Sequence, residues 1–197
     1  EIFNALDGAI EAVFTPISAV IGFPLDQVKY LVCLLSVLPL NFFVLPVLPG
    51  AQMKHFFSFS IGLCFTYICF GLEFVHPLVM MTVAYLMMAL SHKHCQKLVF
   101  LFCFSYLSSY HIYRLYVDYM GWSLDVSTVL MILTIKLVSI SFQYHDGNHP
   151  TKYLTTYHKV RAFAKLPNPL EFFGFTLAYY SVLAGPTFDY LTYKRFI

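Results

Sequence analysis

The amino-acid sequence predicts an all-α fold: a polytopic transmembrane helical bundle with an amino-terminal interfacial helix and a re-entrant helix late in the chain. Three observations predict it. Of the 197 residues 59% are hydrophobic and only 11% charged, with a mean hydropathy of +0.69, so a water-soluble domain would have too little polar surface. Apolar runs near the ~20 residues that a helix needs to cross a hydrocarbon core recur along the chain. Lys and Arg are largely confined to alternate connections between those runs.

Residues 10–23 come first. Pro16 interrupts this mildly amphipathic stretch, which fits a helix lying in the interface better than a crossing. Five candidate spans follow at 28–48, 56–72, 75–90, 98–117 and 126–142, then a polar segment, 144–168, that reads as a long loop. The last apolar run, 170–184, is short and is followed by Gly185 and Pro186. No repeat or low-complexity segment divides the chain. Residues 1–197 read as one incomplete membrane domain, since no initiating Met is present and the start carries Glu1, Asp7 and Glu11 in place of a basic signal-peptide region.

Loop charge sets the expected orientation. Lys54 follows the first span, Lys93 and Lys97 the third, and Lys152, Lys159, Arg161 and Lys165 the fifth, which marks those loops as cytoplasmic. The intervening turns carry Glu73, Asp118 and Asp125 and fit a luminal side. Plain alternation would put Lys194 and Arg195 in the lumen, so 170–184 is read as re-entrant, returning to the cytoplasmic face. Within it Gly174, Ala178, Ser181 and Gly185 would stack on one helical face as a packing seam. Backbone that turns back at membrane depth needs protein or water around it.

The net charge of +2 and the lack of a basic run exclude nucleic acid as a partner class. The five Cys, at 33, 64, 69, 95 and 103, form no CxxC pair and read as small buried hydrophobes, with palmitoylation as the alternative at juxtamembrane Cys95. The fifth span is the most informative. Asp125, Thr128, Lys136, Ser139 and Gln143 fall on one narrow polar stripe interrupted only by Ile132. A Lys in mid-span is costly in lipid, so Lys136 either lines a wet substrate tunnel or makes a buried pair with an acid from elsewhere.

In the fourth span Tyr110, His111 and Arg114 lie within one turn. Arg114 reads as snorkelling to the interface, and His111 as hydrogen-bonded structure rather than a general base, because no nucleophile motif adjoins it. His145, Asp146, Gly147, Asn148 and His149, like His92 and His94, lack the ligand number and spacing of a metal site; Asp146-Gly147 reads as a tight turn. There is no GxSxG, P-loop or GxGxxG, so no cofactor is implied.

From Trp122 onward the order of motifs is distinctive. It runs through Trp122-Ser-Leu-Asp125, Met131-Ile-Leu-Thr-Ile-Lys136-Leu and Phe142-Gln-Tyr-His-Asp146-Gly147. It then continues with Leu166-Pro167, Leu170-Glu171-Phe-Phe-Gly174 and Leu183-Ala-Gly185-Pro186-Thr-Phe-Asp189-Tyr190, and ends with Tyr193-Lys-Arg-Phe196. These blocks resemble the amino-terminal portion of the membrane-bound O-acyltransferase family, in its lysophospholipid acyltransferase branch; residues 1–121 resemble it only in layout. The resemblance implies transfer of a fatty acyl chain from acyl-CoA, as co-substrate, to a lysophospholipid hydroxyl in an endoplasmic-reticulum membrane. It also implies that the catalytic His and Asn follow Ile197, so that no catalytic residue falls within this chain and the chain alone is inactive. Lys136, Asp146, Gly185, Pro186 and Asp189 would then lie near the substrate chamber or its cytosolic mouth, as support. A sterol or protein acceptor is the nearer alternative. A transporter or channel subunit, where broken helices and a mid-span Lys also occur, is the alternative from another class.

Overall fold

The computed structural model describes residues 2–119, 121, 123–148 and 154–197; Glu1, Trp122, His149 and Lys152, singled out above, lie outside them. Every regular element among the described residues is helical. In chain order these are α1 (Ile2–Ile21), α2 (Leu25–Pro39) with a π-turn at Leu40–Val44, α3 (Ala51–Phe70), a 3-10 turn at Gly71–Phe74, α4 (Val75–Leu90) and α5 (Cys95–Val117). They continue with α6 (Ser127–Gly147), α7 (Thr156–Arg161), α8 (Pro169–Thr176) and α9 (Tyr190–Phe196).

Four stretches among the described residues are long and apolar enough to cross a membrane: Phe3–Ile21, Leu25–Val44, Ala51–Leu90 and Ser127–Gly147. Residues 98–117 lie in α5, which is long enough at 23 residues but falls outside the four. Ser105, Ser108, Ser109, His111 and Arg114 dilute its apolar character. Pro16 does not interrupt α1, which runs through it as one helix; the Thr15 hydroxyl donates to the Glu11 carbonyl (2.6 Å) in the same turn.

The expected spans 56–72 and 75–90 are the two arms of Ala51–Leu90. Gly71, with φ +55°, supplies the left-handed residue at the bend between them. The arms are antiparallel. A straight helix would separate Phe59 from Tyr85 by about 39 Å at 1.5 Å per residue, yet both rings lie against Phe173, with centroids 5.9 and 6.2 Å away.

The core lies where α4, α5, α6 and α8 meet: Met80, Met81 and Ala84 with Val99, Leu130, Leu137 and Phe172, all buried completely. On α6 only Met131, Ile135 and Phe142 are large exposed apolar residues, and they share one face. Cys95 is buried at the start of α5, with its thiol directed to the Ser141 carbonyl (3.7 Å), so it is a packed thiol rather than an accessible juxtamembrane one.

The Lys-bearing connections gather at one end of the bundle. His92 bonds the Tyr144 hydroxyl, Phe163 packs on Tyr144 and Tyr190, Lys194 pairs with Glu171 (3.1 Å), and Lys54 donates to the Ile197 carbonyl (2.9 Å). The acidic turns occupy the other end, where Tyr110 bonds Glu73 and Arg114 pairs with Asp125. Contacts of α1 also fall there. Phe3 and Asp7 both touch Tyr67, near the end of α3, and α2 begins with Asp26 accepting the Leu124 N–H (3.2 Å).

Between Asn168 and Asp189 the chain dips into the bundle. The expected helix through 184 is present only as α8, which stops at Thr176; turns follow. Gly174, Ala178, Ser181 and Gly185 therefore do not form one helical seam. Two glycines nevertheless allow close approach. A Cβ on Gly174 would meet the His55 carbonyl (2.8 Å) and the Tyr193 hydroxyl (2.9 Å), and a Cβ on Gly62 would collide with the Leu177 carbonyl.

Candidate functional site

α6 carries Lys136 into the core, where the side chain is 1% exposed. Its ammonium donates to the carbonyls of Phe175 (3.2 Å) and Thr176 (3.1 Å) and to the Ser181 hydroxyl (2.6 Å). Two of these acceptors are carbonyls of the last turn of α8, beyond which no further helical turn supplies N–H donors; the Phe175 carbonyl also accepts a long bond from the Ala178 N–H (3.4 Å). A cation there also complements the negative end of the helix dipole. Phe175 and Phe188 flank the ammonium with ring centroids at 5.5 and 5.4 Å. Among the described residues Lys136 pairs with no acid; it caps a helix that ends inside the bundle.

One turn and two turns further along α6, Ser139 and Gln143 continue the stripe to the Lys-rich end. Gln143 Nε2 donates to Ser139 Oγ and to Asp189 Oδ1, both at 2.9 Å. The second Asp189 oxygen accepts from Arg161 Nε (2.9 Å). Asp146, one turn beyond Gln143, pairs with His158 (3.0 Å). These residues line a cavity of about 200 Å³, roofed by Tyr157, on whose ring the Arg161 guanidinium stacks at 3.9 Å. Gln143 Oε1 is buried and has no partner among the described residues, leaving an acceptor at this cavity.

The candidates thus fall into three neighbouring places. Asp146 and Asp189 line the polar cavity. Lys136 lies deeper, behind Phe175 and Phe188. Pro186 faces away, into an apolar groove of about 320 Å³ with Tyr180, Phe188 and Phe196, while Gly185 is packed against Ser181. Asp146 and Gly147 are the last turn of α6 and not a separate tight turn, which corrects the expectation for that dipeptide. No group of three or more metal-ligating side chains is present among the described residues.

Sequence reasoning missed a second polar knot. His55, buried near the start of α3, shares a hydrogen bond with the Tyr193 hydroxyl (2.7 Å), and Ser58 one turn later donates to the Gly174 carbonyl (3.1 Å). Tyr190, in the first turn of α9, bonds Glu171. Burial pushes its phenol well up from the ordinary value, with the Glu171 hydrogen bond and charge adding to the effect, so it remains a donor to that carboxylate. His55 and Ser58 sit in an apolar run three residues apart; that shared face was the available signal.

Residues 112–197, which hold all of α6 to α9, match the membrane-bound O-acyltransferase family. Lysophospholipid acyltransferase 6 of Drosophila melanogaster is 33% identical over 190 residues, covering 93% of this chain and 26% of that protein. Lysophospholipid acyltransferase of Schizosaccharomyces pombe is 33% identical over 198 residues, covering 95% and 37%. Lysophospholipid acyltransferase 1 of Arabidopsis thaliana is 29% identical over 177 residues, covering 88% and 38%. This chain spans well under half the length of these relatives, and over the span it shares with them it belongs to the membrane-bound O-acyltransferase family.

Proposed function

We propose that this chain is the helical scaffold of a lysophospholipid acyltransferase acting in phospholipid remodelling at the endoplasmic reticulum. One observation carries the reading: relatives named as lysophospholipid acyltransferases in an insect, a yeast and a plant align with 88–95% of the chain. In the reaction the lysophospholipid hydroxyl oxygen bonds to the thioester carbonyl carbon of acyl-CoA. The C–S bond breaks, and the hydroxyl proton passes through a base to the departing CoA sulfur. Such a reaction asks for oriented chains, a base and exclusion of water.

The residues of this chain supply orientation and exclusion. On this reading α1 lies in the interface, which suits the contacts that α1 and the start of α2 make at the acidic end. The segment 170–184 is re-entrant, and Lys136 secures its turning point by holding the carbonyls that α8 leaves open. Asp146 and Asp189 line the cytosolic mouth, with Gly185 and Pro186 shaping the apolar wall beside it. The base belongs to sequence outside residues 1–197.

An acceptor panel tests the assignment. Membranes carrying the full-length protein receive oleoyl-CoA with lysophospholipids of several head groups, a sterol or an acceptor peptide, and products are read by mass spectrometry. Diacyl phospholipid should be the product. Steryl ester or acylated peptide, with no phospholipid, would move the protein to another acceptor class.

A further inference from the structure

At the acidic end, away from the site above, the 3-10 turn, α4 and α5 form an open cavity of about 590 Å³ lined by Glu73, His76, Tyr106, Ser109, Tyr110 and Tyr113. Glu73 is exposed in the 3-10 turn, and its carboxylate accepts the Tyr110 hydroxyl (3.0 Å). Among the described residues it has no ion-pair partner; the nearby cation, Arg114, is held by Asp125 (2.8 Å) and the Ser123 carbonyl (2.9 Å). The wall is aromatic. His76 packs edge-on against Tyr110 at 5.2 Å and lies 6.1 Å from Tyr106, and Tyr113 lies 6.2 Å from Tyr110.

We propose that this cavity binds the quaternary ammonium of a choline head group, presented by a bilayer phospholipid on the acidic face of the membrane. A carboxylate without a counter-cation, ringed by phenol and imidazole faces, is the chemistry that recognises a trimethylammonium group. The aromatic lining favours that group over a primary ammonium. Three phenol rings and an imidazole offer the methyl groups of trimethylammonium apolar and cation-π contact, whereas a primary ammonium is matched by N–H acceptors, of which Glu73 is the charged one in the lining. Acyl chains have a path out, because Leu72 and Tyr113 in the lining are exposed. The site is independent of the acceptor assigned above.

The test uses the full-length protein carrying Ser109→Cys, purified in a glucoside detergent, with modification of the introduced thiol followed by peptide mass spectrometry. The probes are a trimethylammonium methanethiosulfonate, its sulfonate counterpart, and dihexanoyl phosphatidylcholine, phosphatidylethanolamine or phosphatidylglycerol as competitors. The cationic reagent should react on the order of tenfold faster than the anionic one. Phosphatidylcholine should slow it about two- to thirtyfold, the range set by one cation-π site; phosphatidylethanolamine should slow it less and phosphatidylglycerol not at all. Glu73→Gln should abolish both the preference and the protection. Tyr113→Leu, which touches no hydrogen bond, should weaken the protection if Glu73→Gln fails to fold. Equal protection by phosphatidylglycerol or phosphatidylethanolamine, or protection that survives both substitutions, overturns the proposal.

Discussion

α1 and α6 are nearly the same length, 20 and 21 residues, and each has the apolar character of a membrane span, yet 6% of the apolar stretch of one is buried and 61% of that of the other. Apolarity does not distinguish them. Lipid is as apolar as Leu, so an apolar helix gains little by leaving lipid for protein, and association rests on packing and hydrogen bonds. α6 carries Ser127, Thr134, Lys136, Ser141 and Gln143 into the interior, each hydrogen-bonded. α1 attaches to α3 through Tyr67, which bonds Asp7 and packs on Phe3. On α6 the side-chain bonds that reach other segments are those of Lys136 and Gln143, while Ser127, Thr134 and Ser141 bond locally and are buried with the apolar residues around them.

Substitutions in the full-length protein can break this comparison, and Lys136→Leu should have the largest effect. It removes the donor of the Thr176 carbonyl, leaves the Phe175 carbonyl with only the Ala178 N–H (3.4 Å) and takes one bond from the Ser181 hydroxyl, a loss of roughly 2–5 kcal/mol. Yield of monodisperse protein on size-exclusion should fall sharply, and turnover with it; retention of both would mean α8 holds its end unaided. Gly62→Val comes next, because its Cβ would collide with the Leu177 carbonyl. The expected cost is about 3 kcal/mol, read as a lower thermal midpoint, and an unchanged midpoint would show that α3 and α8 separate freely.

Asp189→Asn is milder. It weakens a half-exposed pair with Arg161 while keeping an acceptor for Gln143, so stability should change by less than about 1 kcal/mol. If Asp189 belongs to the cytosolic mouth, the change appears instead in KM for acyl-CoA with kcat preserved. The smallest effect sharpens the other side of the comparison: Val20→Ala on α1, at a residue 88% exposed, should leave midpoint and turnover unaltered.

The sequence made the membrane class and the inward turn of Lys136 legible, because both rest on local rules of hydropathy and the cost of charge in lipid. It did not disclose what Lys136 meets. The partners lie 39, 40 and 45 residues away, and they are acceptors created by a helix that ends early. The spacing of Gly174, Ala178, Ser181 and Gly185 was a false helical signal, since α8 stops at Thr176 and turns follow. Pro16 misled in the opposite direction: within an apolar helix it bends or strains the chain but need not end it. His55 and Tyr193 were invisible as a pair because 138 residues separate them.

The central claim is that these helices are the scaffold of an acyl-CoA-dependent lysophospholipid acyltransferase whose base lies in sequence outside them. The most direct measurement gives oleoyl-CoA and lysophospholipid to membranes carrying either residues 1–197 or the full-length protein, each shown to be folded and inserted, and quantifies diacyl phospholipid by mass spectrometry. The account predicts product from the full-length protein and none from residues 1–197. Turnover by residues 1–197 would place the base on His111, His145 or His149 and contradict the division of labour, and a folded but inactive full-length protein would revive the transporter reading.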